Sequence, residues 1–330
     1  MKGRVLRFVA PYRVELDEVA VPEPGERELL VRGEVSGISA GTEMLAYRGE
    51  MDPALPLDET IGALGGRFEY PFAYGYSAVG TVERSRGTIP DGSLVFAFHP
   101  HQDLYVVAED DVVPVGGEDA RRATFLPLVE TALQVCLDAG PRLGEHVAVV
   151  GLGCVGILTA ALLARAGAHV VGSEPLAARR RTAAQLGIEA VEPGEIAATL
   201  DRRTEGRGVP LVVEASGSPE ALADSLGLLA PEGTALVCSW YGTKPATLPL
   251  GADFHRRRLV IRSTQVSTIP SELAGRWNRD RRRGVARALL RELPLELLPA
   301  RDFPFERAAD AYAALAGGDP DLLHATLAYR

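Results

Sequence analysis

The chain has 330 residues, of which 46% are apolar and 24% charged, and a formal net charge of −9. That length suits two domains and a large core. The acidic balance gives no general attraction to nucleic acid or an anionic membrane, and no apolar run approaches the ~20 residues that span a bilayer. The three cysteines, Cys136, Cys154 and Cys238, are scattered without paired spacing, as free thiols in a reducing compartment are. No secretory leader is read at the start, so a cytoplasmic protein is expected.

Residues 1–35 alternate apolar and polar around Pro and Gly, as in Arg4–Val9 and Glu28–Arg32, which predicts short antiparallel strands. The segment Val35–Glu43 breaks the pattern. Met44–Gly49 follows as one or two helical turns, and 50–70 as a loop rich in Gly and Pro. Strand-like runs return at Tyr76–Val82, Ser93–Phe98 and Leu104–Val107, so the first part of the chain is mainly β.

From Ala123 to Leu137 apolar residues recur at helical spacing until Gly140-Pro141 stops them. Six apolar runs then alternate with helical stretches at 176–186, 195–203 and 219–229. They are His146–Val150, His169–Ser173, Glu189–Val191, Pro210–Glu214, Gly233–Cys238 and Leu259–Ser263. This is the pattern of a doubly wound parallel sheet. After Ser263 a charged helix at 278–292, another at Phe305–Leu315 and a terminal strand at Leu322–Tyr329 are expected. The terminal strand is expected to return to the β-rich part.

The first of the six runs leads into Gly151-Leu-Gly153-Cys-Val-Gly156. Between a strand and a helix, such a loop brings backbone amides and a helix N-terminus to a pyrophosphate. Gly151, Gly153, Val155 and Gly156 are the predicted cradle. Glu174, eighteen residues beyond Gly156, stands where a dinucleotide fold places the acid that takes the adenosine ribose hydroxyls. Its charge would repel a 2′-phosphate, which favours NAD over NADP. Arg179, Arg180 and Arg181 weigh the other way, but read as a solvated helix face. Ser216, after the fourth strand, is predicted near the adenine or the nicotinamide ribose, and Ser239 with Trp240, after the fifth, beside the nicotinamide, unless Trp240 caps the apolar cleft.

These features resemble the medium-chain dehydrogenase/reductase superfamily over nearly the whole chain. Ser36–Glu43 is similar to that family's first zinc-site motif, Gly75–Val82 to its Gly-His-Glu-x-x-Gly-x-Val element, and Leu126–Ala132 to the segment bearing a third ligand. The resemblance implies an α/β chain with a GroES-like β-rich substrate domain at 1–122 and 267–330. A Rossmann domain with a doubly wound, parallel, six-stranded sheet would occupy 123–266. Where the family has zinc ligands, this chain has Ser39 or Ala40, Tyr76-Ser77 and Pro127. Zinc takes thiolate, imidazole or carboxylate ligands, so no metal is expected, and the cysteine-rich lobe of the structural zinc is missing too.

Phe98–Gln102, Phe254–Leu259 and Ser263–Val266 resemble the zinc-lacking branch that includes bacteriochlorophyllide dehydrogenase. That branch implies an NAD-dependent conversion of a secondary alcohol to a ketone on a small molecule with a hydroxyl or carbonyl group, in a homodimer. By resemblance, Thr42 falls at the proton-relay hydroxyl of zinc relatives, Glu43 at an acid that orients its neighbours, and Arg179 where the family often has a basic residue beside the adenosine ribose. Thr42 and Tyr76 are expected to contact the substrate oxygen, with Ser77 a weaker alternative, and His101 to relay a proton to bulk water. Two alternatives stand beside this reading: an NADPH-dependent quinone or enone reductase of the same fold, and a dinucleotide-binding protein without turnover.

Overall fold

The computed structural model describes residues 1–117 and 119–329. The chain forms two compact units, Met1–Pro127 with Ala300–Arg330, and Leu128–Pro299.

The contiguous unit is built on a six-stranded sheet in which every pairing is parallel. Its strands in chain order are His146–Val150, His169–Ser173, Glu189–Val191, Val209–Glu214, Leu229–Val237 and Val260–Ser263. In space they run third, second, first, fourth, fifth, sixth, so the order reverses between the first and the fourth. Parallel strands are covered on both faces and read as unbroken apolar runs. Val147, Ala148 and Val149 of the central strand are accordingly fully buried. The helices Ile196–Thr204 and Pro219–Ser225 close one face: Ile196, Leu200 and Leu222 pack on Ala148, Val171 and Val212. The Pro219 helix starts cleanly because Ser218 accepts from the Ala221 amide and proline occupies the first turn.

The other unit carries two sheets. In the smaller, Lys2–Ala10 pairs antiparallel with Arg13–Ala20 on one side and Phe72–Ala73 on the other. In the larger, seven strands run Ala300–Pro304, His324–Ala328, Glu28–Ile38, Ala78–Ser85, Leu94–Ala97 and Val112–Pro114, with Leu104–Ala108 also on Glu28–Ile38. The expected return of the C-terminal strand is seen in the register Ala325↔Ile38 to Ala328↔Val35. The segment 50–70 forms no helix or strand, but sends Met51, Leu57, Leu64 and Phe68 into the core around Phe8, Phe72 and Tyr312. The strand Ala300–Pro304, with polar Arg301 and Asp302 at its centre, carried no alternation that marks it in the sequence.

The division differs from the expected one. Residues 267–299 belong with the six-stranded sheet, not with the β-rich unit. The reason lies in helix Arg279–Glu292, whose Arg282 is 2% exposed. Arg282 donates from Nε to Glu130 at 3.0 Å and from Nη1 to Gln134 at 2.5 Å, both on helix Leu126–Ala139. A fully desolvated ion pair holds its partners because breaking it strands a charge. Burial lowers the Arg282 pKa most, and Glu130 opposes that shift.

Replacing Arg282 by Ala is expected to cost about 3 kcal/mol, measured by urea unfolding. That is the low end for a broken buried pair, since Arg283 Nε remains 3.6 Å from Glu130. Arg282→Met combined with Glu130→Leu, which removes both charges, is expected to recover most of that loss.

Candidate active site

The glycine loop is shaped by one close approach. A Cβ on Gly156 would stand 1.9 Å from the Gly151 carbonyl oxygen, so only glycine lets the helix Cys154–Arg165 begin this near the strand that feeds it. Gly153 caps that helix without a side-chain hydrogen bond. The amides of the first turn, Val155 and Gly156 among them, are thus left for an anion. The residues present fit a pyrophosphate.

Glu174 ends the second strand at 2% exposure. Its Oε2 accepts from Leu152 N–H at 2.8 Å, inside the glycine loop, and its Oε1 from Leu176 N–H at 3.1 Å. Each carboxylate oxygen has two lone pairs, so capacity for ribose hydroxyls remains. Arg179 Nη1 lies 3.9 Å from Glu174, and the buried Arg179 Nε has no hydrogen-bond partner among the described residues. Arg180, read as solvated, instead donates to the Glu174 and Pro175 carbonyls and to Glu192. The turns that bear Ser216 and Ser239 meet, Gly217 N–H donating to Ser239 Oγ at 2.8 Å. Trp240 is 44% exposed. Sequence reasoning missed Glu214 and Tyr241, which lie between these serines: the Tyr241 hydroxyl and the Ser216 amide both donate to the Glu214 carboxylate. An acid closing an apolar run, Val212-Val-Glu214, was the available signal.

In the other unit the side chains of Ser39 and Thr42 lie close enough to the Tyr76 phenol to lower its pKa. The two hydroxyls predicted to act together are therefore neighbours, with Ser39 a third. Burial first, then the charge of Glu43, pushes the Tyr76 phenol up to about 12, against the lowering by Ser39 and Thr42. Tyr76 is a protonated donor throughout the neutral range. Ser77 faces elsewhere, donating to the Thr124 carbonyl at 2.8 Å.

Glu43 lies beneath this cluster, fully buried. It accepts from the Ser39 amide at 2.8 Å, from Tyr312 Oη at 2.5 Å and from His101 Nε2 at 2.9 Å. A carboxylate only accepts, so Nε2 carries the proton; in the neutral ring Nδ1 then accepts from Ser36 Oγ at 2.6 Å, which accepts from Tyr329 at 2.7 Å. The expectation of a direct relay from His101 to bulk water needs correction. Its ring is wholly buried with both nitrogens engaged, and it braces Glu43 instead. Gly75 explains the glycine of its motif: at φ +116° it meets the His101 ring, where a Cβ would fall 2.7 Å away.

Two predictions follow from these geometries. Gly156→Ala forces the glycine loop apart and is expected to abolish dinucleotide binding, read by titration with NADH and NADPH. The second concerns acid. Burial pushes His324 down to about 3, with Arg121 adding to the effect. It also pushes His99 down to about 4, helped by His101 and opposed by the Pro100 carbonyl. Both rings stay neutral in the fold, while the unfolded chain protonates them below about 6.5. The unfolded state therefore binds more protons as pH falls from about 6.5 towards 4, and stability is lost across that window. Each ring is expected to cost about 2 kcal/mol at pH 5. His324→Gln should flatten the fall of the thermal midpoint with pH.

Comparison with known proteins agrees with this geometry. A family model described as zinc-binding dehydrogenase matches residues 154–278. The chain is 29% identical to 2-desacetyl-2-hydroxyethyl bacteriochlorophyllide A dehydrogenase from Cereibacter sphaeroides, covering 100% of this chain and 99% of that one. It is 35% identical over 268 residues to L-threonine 3-dehydrogenase from Thermococcus kodakarensis, covering 69% of this chain and 73% of that one. Among solved structures it superposes on L-idonate 5-dehydrogenase from Escherichia coli with a TM-score of 0.80 at 17% identity, covering 99% and 98% of the two chains. With the sheet order, the glycine loop and the β-rich unit in agreement, the chain belongs to the medium-chain dehydrogenase/reductase superfamily, as an oxidoreductase of its alcohol dehydrogenase type.

Proposed function

We propose that this oxidoreductase works without zinc, uses NAD(H), and interconverts a secondary alcohol and a ketone on a small-molecule substrate. The observation that carries this reading is the closeness of the Ser39 and Thr42 hydroxyls to the Tyr76 phenol; by resemblance, Ser39 and Tyr76 fall at ligand positions of zinc relatives. Hydroxyls, the committed Ser77 and the donorless Pro127 do not suit Zn²⁺. The relatives described above are, by name, dehydrogenases of a hydroxyethyl bacteriochlorophyllide and of L-threonine, which supports a hydroxyl-bearing substrate.

A bound nicotinamide gives or takes the hydride. The chain's own residues do the rest. Gly151, Gly153, Val155 and Gly156 hold the pyrophosphate, Glu174 and Arg179 the adenosine ribose, and Ser216, Ser239 and Trp240 border the nicotinamide half. Tyr76 and Thr42 donate to the substrate oxygen while it carries negative charge. One donor of this kind is worth about 3–4 kcal/mol, so two approach the several kcal/mol that a metal supplies as a Lewis acid. The Thr42–Ser39–Tyr76 hydroxyls pass the proton between the substrate oxygen and water, each giving up one proton as it takes another; with its phenol near 12, Tyr76 is no net base.

A second reading has one observation in its favour. The unpartnered Nε of Arg179, beside a Glu174 already engaged by two amides, offers a seat for a 2′-phosphate. That favours NADPH and the enone reductases of the same fold.

Purified protein should contain no stoichiometric zinc, and Tyr76→Phe should lower kcat by about a hundredfold with ketones and NADH. One zinc per chain whose removal abolishes turnover, or unchanged kcat in Tyr76→Phe, would reject the reading. Faster turnover of enones with NADPH would select the second.

A further inference from the structure

Glu214 ends the fourth strand fully buried, after Val212 and Val213 in the same apolar run. Packing alone asks for another aliphatic residue there. A carboxylate is instead present, and taking one out of water costs several kcal/mol unless donors surround it. Three do. Ser216 donates to Oε1 from its amide, at 2.7 Å, and from its hydroxyl; Tyr241 donates to Oε2 at 2.5 Å.

These donors come from two turns. Ser216 follows the fourth strand and Tyr241 the fifth. Further ties run alongside: Gly217 N–H to Ser239 Oγ, and Lys244 Nζ to the Gly217 carbonyl at 2.9 Å. The glycine loop leans on the same turn, since a Cβ on Gly151 would stand 2.5 Å from Ser216 Cα. In a sheet of this order the adenosine half of a dinucleotide lies by the second strand, and the nicotinamide half beyond the reversal of strand order, by the fourth and fifth.

We propose that Glu214 is a positioning residue for the nicotinamide half of the cofactor: through Ser216 and Tyr241 it locks the turns after the fourth and fifth strands into the seat that this half occupies. The proposal rests on the dinucleotide reading of the site. It makes Tyr241 an aromatic neighbour that matters to the cofactor seat, acting from beneath through its hydroxyl.

The test compares two ligands on the purified full chain by calorimetry. ADP-ribose carries the adenosine, the pyrophosphate and the second ribose but no nicotinamide ring; NADH and NADPH carry the ring as well. Glu214→Gln and Tyr241→Phe are each expected to weaken the preferred dinucleotide by about five- to twentyfold while leaving ADP-ribose within about twofold. The double variant should bind about as the weaker single one does, because both changes cut the same bond. Equal weakening of ADP-ribose and dinucleotide, as a general loosening of the unit would give, overturns the proposal, and so does unchanged dinucleotide affinity. Tyr241→Phe, the milder change, carries the test if Glu214→Gln does not fold. Wild-type protein that binds neither ligand would remove the dinucleotide reading itself, an outcome told apart because it precedes any substitution.

Discussion

A carboxylate removed from water must be given hydrogen-bond donors, and this chain meets that demand repeatedly with amides of its own functional turns. Glu43 takes the amide of Ser39, Glu174 that of Leu152, and Glu214 that of Ser216. In each case the acid sits at the edge of a buried element and the amide belongs to a turn that bears the candidate chemistry. The desolvation cost of the charge is what makes the turn rigid: letting the loop move would strand the acid. Preorganisation here is a by-product of electrostatics and needs no special packing.

Under the proposed zinc-free reading, the same logic supplies what a cation would otherwise provide. A metal ion stabilises negative charge on oxygen wherever its ligands leave a free position. Hydroxyl donors must be aimed, and aiming three of them requires a fixed base. Glu43 is that base. It is held from behind by His101 and Tyr312, and burial, aided by its charge, raises the Tyr76 pKa. The brace extends through Ser36 to Tyr329, so residues far apart in the chain hold one carboxylate.

Much of this was legible in the sequence, for identifiable reasons. Unbroken apolar runs such as His146–Val150 announce buried parallel strands, and Gly151 and Gly156 stand at close approaches that admit no side chain. The pairing of Thr42 with Tyr76 was reachable only through resemblance, because no local pattern brings residues 42 and 76 together. The place of helix Arg279–Glu292 was misjudged since a run of arginines reads as solvated; only the fold reveals that Arg282 meets Glu130. Glu214 escaped notice for the converse reason. A lone acid at the end of a strand looks like the point where the strand reaches water.

The β-rich unit is discontinuous in the chain. Its strand Glu28–Ile38 pairs on one side with Ala78–Ser85 and on the other with His324–Ala328. During synthesis that second edge stays open while roughly the whole intervening polypeptide is made, and the contiguous unit can close in the meantime. An unpaired central strand is a template for the wrong neighbour. Translation therefore imposes an order on assembly: the contiguous unit can close early, whereas the unit that carries Tyr76 and Glu43 must wait for His324–Ala328.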